Sequence, residues 1–303
     1  MHEIAPIVTI GICARNSEAL IGKAIESVLA QDYPHNLMEI VFVDDGSEDK
    51  TLSVIKEYID KTNIRYKVFS STWKGIGYAR NKVVESANGI YIIWVDADNI
   101  LSVDFVRKQV EFMEKNLKVG IATGMFQIRS GESPVLTLEL AHLVLKYSRN
   151  KTWTMNDTTK LPGAAGTICR TALLRKIGGF DEQISGAGED QDVASKIQAA
   201  RWIIYRNDAV IYETRGNMST WRDLWRKYVW YGASAFPLYR RRIYKISVLR
   251  VNPFAGFVSG LIVASGTYPM LHRKILFLCP IHGAYKMLAY LYGFSKTMIA
   301  NTG

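Results

Sequence analysis

Tyr91-Ile92-Ile93-Trp94-Val95 is an apolar, β-branched and aromatic run that ends in Asp96-Ala97-Asp98. Such a run reads as a buried strand. Carboxylates at its C-terminal end face the crevice where open α/β sheets bind ligands. At an effective dielectric of about 20, two such charges a few ångströms apart repel by a few kcal/mol, so stability alone does not explain the pair. A divalent cation shared with an anionic substrate would relieve it, because Mg²⁺ and Mn²⁺ take one or two carboxylates plus phosphate oxygens. Asp44-Asp45 closes a second apolar run and is followed by Gly46, which lets the backbone turn toward a ligand. Arg80 stands about one turn inside a helix opened by Gly75 and Gly77, where its guanidinium can reach a base edge or a diphosphate. Gly186-Ala187-Gly188-Glu189-Asp190 sets two acids at a helix N-terminus behind a flexible loop.

These groups need elements to hold them, and the first half of the chain supplies strands and helices in alternation. Ile7 to Ile12, Met38 to Val43, Tyr66 to Phe69 and Tyr91 to Val95 read as strands. Between the first two lies a helix with Leu20, Ala24 and Val28 on one face, which Asn16 and Ser17 can cap. Leu52, Ile55 and Ile59 mark a second helix, and Gly75 to Ala87 a third. A βαβαβαβ order predicts an α/β fold with a mostly parallel, Rossmann-like sheet, right-handed crossovers and flanking helices. Further on, Val103 to Lys115, Val135 to Tyr147 and Asp190 to Arg201 read as helices, and Val119 to Ile128 and Ile203 to Tyr212 as strands.

The 303 residues carry a net charge of +10, which calls for an anionic partner. The basic residues of the segment from Arg222 to Arg250 are interleaved with Trp225, Tyr228, Trp230 and Tyr231, a mixture that suits a lipid headgroup layer better than a nucleic-acid groove. No nucleic-acid-binding signature is present. From Pro253 to Leu271 no charge occurs, a length of about 19 residues that just spans a hydrocarbon core. Gly256 and Gly260 would let another helix approach. A second apolar stretch, Ile275 to Phe294, is interrupted by Pro280, His282 and Lys286. The two stretches can enter a membrane, pack on the rest of the chain or form an oligomer interface. The division expected is a catalytic domain over 1–220 and amphipathic and hydrophobic, membrane-associating helices over 221–303. Cys13, Cys169 and Cys279 have no metal-type spacing and imply no disulfide framework, and the five histidines show no ligand spacing. With no signal peptide in Met1 to Pro6, the globular part is expected on the cytoplasmic side of the cell membrane.

Taken in order, Ile12-Cys13-Ala14-Arg15-Asn16, Val43-Asp44-Asp45-Gly46-Ser47, Gly75-Ile76-Gly77-Tyr78-Ala79-Arg80-Asn81, Asp96-Ala97-Asp98, Gly178-Gly179-Phe180-Asp181-Glu182 and Gly188-Glu189-Asp190 resemble the family 2 glycosyltransferases of the GT-A fold. The resemblance covers roughly Ile7 to Glu213. It implies an inverting, metal-dependent hexosyltransferase that uses a UDP- or GDP-sugar donor. It assigns nucleotide binding to Ala14, Asn16, Asp44, Asp45, Arg80 and Asp96. Asp98 and Asp96 would hold Mn²⁺ or Mg²⁺, with Glu213, where many relatives carry His, as a further candidate ligand. Asp190 is the expected catalytic base and Glu189 its orienting or acceptor-binding neighbour. Gly163, Ala164 and Arg215 fall to the acceptor, expected to be a polyprenyl phosphate or lipid-linked glycan, with a glycan polymer or soluble acceptor as the alternative. Gln198-Ala199-Ala200-Arg201-Trp202 has the Gln-x-x-Arg-Trp form of processive synthases, but it follows Asp190 within one helix and reads as packing. Two other classes compete. A haloacid-dehalogenase-type phosphatase also ends a strand in Asp-x-Asp, but on its first strand and followed by Thr or Val, where Asn99 stands here. A non-catalytic sugar-nucleotide-binding membrane protein would have little use for the full set Arg80, Asp98 and Asp190.

Overall fold

The structure, a computed structural model, describes residues 5–127, 133–149, 152–153, 163–184, 186–213, 219–240 and 252–301. The chain divides into two compact units. One comprises Met1–Met125, Lys151–Ser185 and Glu189–Thr214; the other comprises Phe126–Asn150, Gly186–Gly188 and Arg215–Gly303.

The first unit is built on a nine-stranded sheet. Its parallel half is β1 (Val8–Ala14), β2 (Met38–Asp45), β3 (Arg65–Ser71) and β4 (Tyr91–Trp94), in the spatial order β3-β2-β1-β4. Helices α1 (Ile21–Leu29), α2 (Thr51–Ile59) and α3 (Ile76–Ser86) form the crossovers. Every residue of β2 is buried, as expected for a parallel strand covered on both faces. On α1 the buried positions Ile21, Ala24, Ile25 and Val28 form one stripe. Trp94 and Val83 close over Gly11, where any side chain would collide with both. The register opposes Ala14 to Asp44 and Asp45 to Ser71, so the strand ends that carry polar residues share one edge. Because β2 and β4 flank β1, the order in which strands are added across the sheet reverses between β1 and β4, the place where open sheets bind ligands.

Beyond β4 the sheet turns antiparallel, which makes it mixed. β8 (Thr167–Arg170) pairs antiparallel with β4 and β6 (Val119–Gln127), and β9 (Ile203–Glu213) with β5 (Asn99–Leu101) and β7 (Thr152–Trp153). Helices α4 (Phe105–Lys115), α6 (Thr171–Lys176) and α7 (Glu189–Ala199) complete the unit.

One local expectation is corrected. Asn16 and Ser17 do not cap α1, which begins at Ile21 without a side-chain cap. Asn16 adopts a left-handed φ of 49°. Its Oδ1 accepts from Glu48 N at 2.8 Å, and Ser17 N donates to Thr51 Oγ1 at 2.7 Å. The loop after β1 is thereby tied to the loop after β2. Short polar side chains serve either purpose, and here the neighbouring strand end supplies the better partners.

The second unit contains α5 (Pro134–Arg149), α8 (Trp221–Arg240), α9 (Pro253–Leu271) and α10 (Cys279–Ala300). α10 lies antiparallel to α9, with Gly256 against Gly283 and Gly260 against Cys279 and Pro280. It crosses α8 closely, with Val229 against Gly293 and Tyr290 against Gly232. Glycine at these points lets the backbones touch. Inside this apolar bundle Glu139 of α5 accepts from Tyr228 OH at 2.6 Å and Lys286 Nζ at 3.0 Å, and His282 Nε2 lies 3.3 Å away.

Candidate active site

The crevice starts at the two acids ending β2, which have separate tasks. Asp45 accepts from Lys74 N and Gly75 N, each at 2.8 Å, so it anchors the loop that opens α3. Gly46, at φ 74°, admits that loop because a side chain there would strike Trp73 N. Asp44 is buried with its Oδ2 3.3 Å from Ser70 Oγ, while its Oδ1 has no hydrogen-bond partner. A buried carboxylate oxygen left unpaired costs on the order of 1–3 kcal/mol. Of the pair, Asp44 is therefore the one poised for a ligand donor such as a base N–H or ribose hydroxyl. Beside it, the Arg15 guanidinium stacks 5.0 Å from the ring centroid of exposed Trp73.

Arg80, one turn into α3, is buried at the centre of the acids. It pairs through Nη1 with Glu189 and through Nη2, at 3.5 Å, with Asp96 Oδ1. Its guanidinium lies against both rings of the edge-to-face pair Trp94 and Phe180, at 5.7 and 5.5 Å from their centroids. Burial works against its charge, but Glu189 and Asp96 more than offset this and hold it protonated. Phe180 is placed by Asn81. The Asn81 side chain accepts from Phe180 N at 2.8 Å and donates to Phe180 O at 2.9 Å and to Glu182 Oε1 at 2.8 Å. Gly178 and Gly179 take the positive φ values, 80° and 64°, that this loop requires. At Gly77 a side chain would lie 2.7 Å from Asp181 O. The two glycine-containing motifs are thus two halves of one interlock.

Asp190 opens α7. Its Oδ1 accepts from Gln191 N at 2.7 Å, and its Oδ2 lies 3.6 Å from where a Cβ on Gly163 would be. Burial, and then the charge of Glu189, push its carboxyl up to about 7 against the pull of Arg80. A base that titrates near neutrality is matched to proton abstraction at physiological pH. Burial also pushes the Cys13 thiol beneath the site up to about 12, which leaves it an inert packing residue.

Asp96 and Asp98 flank a tight turn. Asn99 Oδ1 accepts from Asp96 N and Asn99 Nδ2 donates to Asp98 Oδ1, both at 3.2 Å. Both acids remain partly open to solvent. Among the described residues no three His, Cys, Asp or Glu side chains come together as a metal group. Two partly exposed carboxylates are oxygen donors of the kind that Mg²⁺ or Mn²⁺ takes together with phosphate oxygens and water. Glu213 pairs in register with Asn99, which brings the end of β9 beside this turn; its side chain lies outside the described residues. Of the expected acceptor residues, Gly163 faces Asp190 and Ala164 is buried in the adjoining turn, while Arg215 lies outside the described residues. Trp202 packs at the end of α7 against Gly120 and under the Arg170 guanidinium, a structural role for the Gln-x-x-Arg-Trp match.

Glu189 as the partner of Arg80, and Asn81 as the clamp on Phe180, were not legible as such. The partners are separated by 109 and 99 residues, and only the presence of both motifs hinted at their pairing.

The sequence profile of glycosyl transferase family 2 matches residues 9–177. The chain is 35% identical over 111 residues to an uncharacterized glycosyltransferase of Haemophilus influenzae, covering 37% of this chain and 44% of that protein. Poly(ribitol-phosphate) beta-N-acetylglucosaminyltransferase TarS of Staphylococcus aureus is 27% identical over 204 residues, 66% of this chain and 34% of its own length. The chain spans about a third to a half of the length of the curated relatives it matches. Among solved structures, mannosyltransferase PcManGT from Pyrobaculum calidifontis, in complex with GDP-Man and Mn²⁺, superposes with a TM-score of 0.65 at 18% identity, covering 99% of this chain and 89% of that one. TarS 1–349 of S. aureus in complex with UDP-GlcNAc gives 0.54 at 17% identity, over 97% and 92% of the two chains. These neighbours show a shared GT-A fold, and with the profile match over more than half its length the chain belongs to glycosyltransferase family 2.

Proposed function

We propose that this protein is an inverting glycosyltransferase that moves a sugar from a nucleoside-diphospho-sugar to a lipid-linked or polymeric glycan acceptor at the cytoplasmic face of a membrane. The observation that carries the reading is Asp190, a carboxylate pushed up to about 7, open toward Gly163 and one residue from the Glu189–Arg80 pair. Asp44 Oδ1 receives a hydrogen bond from the donor's base or ribose, and Ala14 to Asn16 line the same strand ends. Arg80, with its charge maintained by Glu189 and Asp96, faces the negative charge that develops on the departing diphosphate. A divalent cation held by Asp98 and Asp96 would supply Lewis-acid neutralisation of that leaving group. Asp190 takes the proton of the acceptor hydroxyl as the new C–O bond forms on the face opposite the breaking bond, so the anomeric configuration inverts. No carboxylate nucleophile and no covalent glycosyl-enzyme is needed. If the acceptor is a phosphate, Asp190 orients it instead.

Two further facts support the substrate classes. Relatives include a poly(ribitol-phosphate) beta-N-acetylglucosaminyltransferase and a poly-beta-1,6-N-acetyl-D-glucosamine synthase of Staphylococcus epidermidis, both named for polymers. Two helical segments, Pro253–Leu271 and Lys274–Ala300, are long and apolar enough to cross a membrane by length and composition. The test is a thermal-shift screen of UDP- and GDP-sugars with Mn²⁺ or Mg²⁺, followed by radiolabel transfer from the stabilising donor into extracted lipids and glycans. Stabilisation by one donor, with transfer that Asp98→Ala and Asp190→Asn abolish without unfolding the chain, is expected. Full activity in both variants would remove the proposal.

A further inference from the structure

A nucleobase offers two parts to a protein, an edge of N–H and C=O groups and a flat π face. Asp44 Oδ1, buried and without a hydrogen-bond partner, suits the edge. We infer that Trp73 is the surface on which the donor's nucleobase stacks, and that Arg15 is a positioning residue that holds the indole. This rests on the nucleotide-sugar reading above and deepens it at the donor end.

Trp73 lies two residues beyond the end of β3, in the loop that Asp45 pins through Lys74 N and Gly75 N. Its backbone N comes so near Gly46 that a side chain on Gly46 would strike it. Asp44 stands two residues before Gly46 and meets Ser70 Oγ, three residues before Trp73. Trp73 is therefore fixed at the end of β2 that carries Asp44. Arg15 arrives from the loop after β1. Its guanidinium lies 5.0 Å from the indole centroid, and its Nε donates to Gly46 O at 3.4 Å. That loop is tied in turn to the next, because Asn16 N donates to Ser47 Oγ at 3.0 Å. The ends of β1, β2 and β3 thus converge on one cation–aromatic pair, and both of its side chains are exposed.

Folding does not account for this arrangement. A cation–π pair at an exposed site contributes little to stability. With 55% of Trp73 exposed, the fold forgoes much of the gain from burying a large aromatic side chain. Position separates Trp73 from other exposed apolar groups. Tyr66 and Ile90, the other exposed large apolar side chains among the described residues of the parallel half, stand at the starts of β3 and β4. Of the three, Trp73 is at the carboxyl ends of the strands, where open sheets bind ligands. Stacking is tolerant of base identity, because every base has a π face. One indole therefore serves uracil or guanine, while selection between them falls to edge contacts.

The experiment titrates the full chain with UDP and with GDP, in Mn²⁺, by calorimetry. It compares wild type, Trp73→Phe and Trp73→Leu, with Tm confirming that each is folded. Phe keeps a π face, and Leu keeps apolar bulk without one. For a nucleotide that binds wild type, Trp73→Phe should hold Kd within about threefold, and Trp73→Leu should raise it about 5- to 150-fold. Equal Kd values in the two variants, or weaker binding by Trp73→Phe, would overturn the stacking role. Arg15→Met should weaken binding in wild type but not in the Trp73→Leu background, and any other pattern would overturn its positioning role. Hydroxyl-radical footprinting of wild type needs no substitution. Saturating nucleotide should lower oxidation of Trp73 and leave exposed Tyr66 unchanged, and an unprotected Trp73 would overturn the inference. Failure of wild type to bind either nucleotide would remove the nucleotide-sugar reading itself.

Discussion

Replacing Asp190 with Asn should make the protein inactive and, at alkaline pH, more stable. The carboxyl is raised from 3.8 to about 7 by burial and by Glu189. A raised folded-state value means that the folded chain holds a proton the unfolded chain releases. Stability from this group is fully present below pH 3.8 and is lost as pH rises to about 7. The gap is about three pH units at about 1.4 kcal/mol each, so the ionised carboxylate costs the fold about 4 kcal/mol above neutrality. Part of that cost already applies at pH 5, so between pH 5 and 8 the stability of Asp190→Asn relative to wild type should rise by about 2–3 kcal/mol. In a chain of this length that is about 5 °C in Tm. The assay is thermal or urea unfolding of both proteins at the two pH values, in chelator, so that no cation alters the carboxyl. Transfer by the variant should fall by about 10²–10⁴-fold, the usual weight of a general base. Parallel stability curves from pH 5 to 8 would refute the claim that Asp190 is buried among like charges.

Other expectations concern neighbouring groups. Asp44→Ala removes an oxygen held for the donor, so the donor Kd, read by titration calorimetry, should rise about tenfold or more, at little or no cost in Tm because the buried oxygen was unpaired. Asn81→Ala deletes three hydrogen bonds on Phe180 and Glu182; unfolding should be easier by about 2–3 kcal/mol, and loosening of Phe180 over Arg80 should lower kcat more than it raises KM. Lys286→Met leaves Glu139 charged and buried, a loss on the order of 3–5 kcal/mol, whereas Lys286→Met combined with Glu139→Gln should recover most of it, as denaturant titration of the three proteins would show.

What the sequence revealed follows the reach of the interactions concerned. β1, β2 and β4 were legible because strands covered on both faces read as near-continuous apolar runs, half-buried β3 was legible from the short stretch Tyr66 to Phe69, and Asp44, Asp45, Asp96 and Asp98 stood out because each of their runs ends abruptly in charge. The separate duties of Asp44 and Asp45 were not visible. They depend on Lys74 N and Gly75 N, which arrive from another crossover. Asn16 and Ser17 looked like helix caps because capping and loop tying use the same side chains. β6 and β9 were legible as strands, but their antiparallel pairing was not, for a similar reason: β8 enters between β4 and β6 from far along the chain, and no periodicity encodes a neighbour. The grouping of α5 with the C-terminal helices is set by contacts such as Glu139 with Lys286, 147 residues apart.

The most direct test of direct displacement at Asp190 is the anomeric configuration of the first product formed from an α-linked nucleotide sugar, read by the proton coupling constant in NMR before any equilibration. The mechanism predicts a β-linked product from the wild-type enzyme and none from Asp190→Asn; an α-linked product would contradict it.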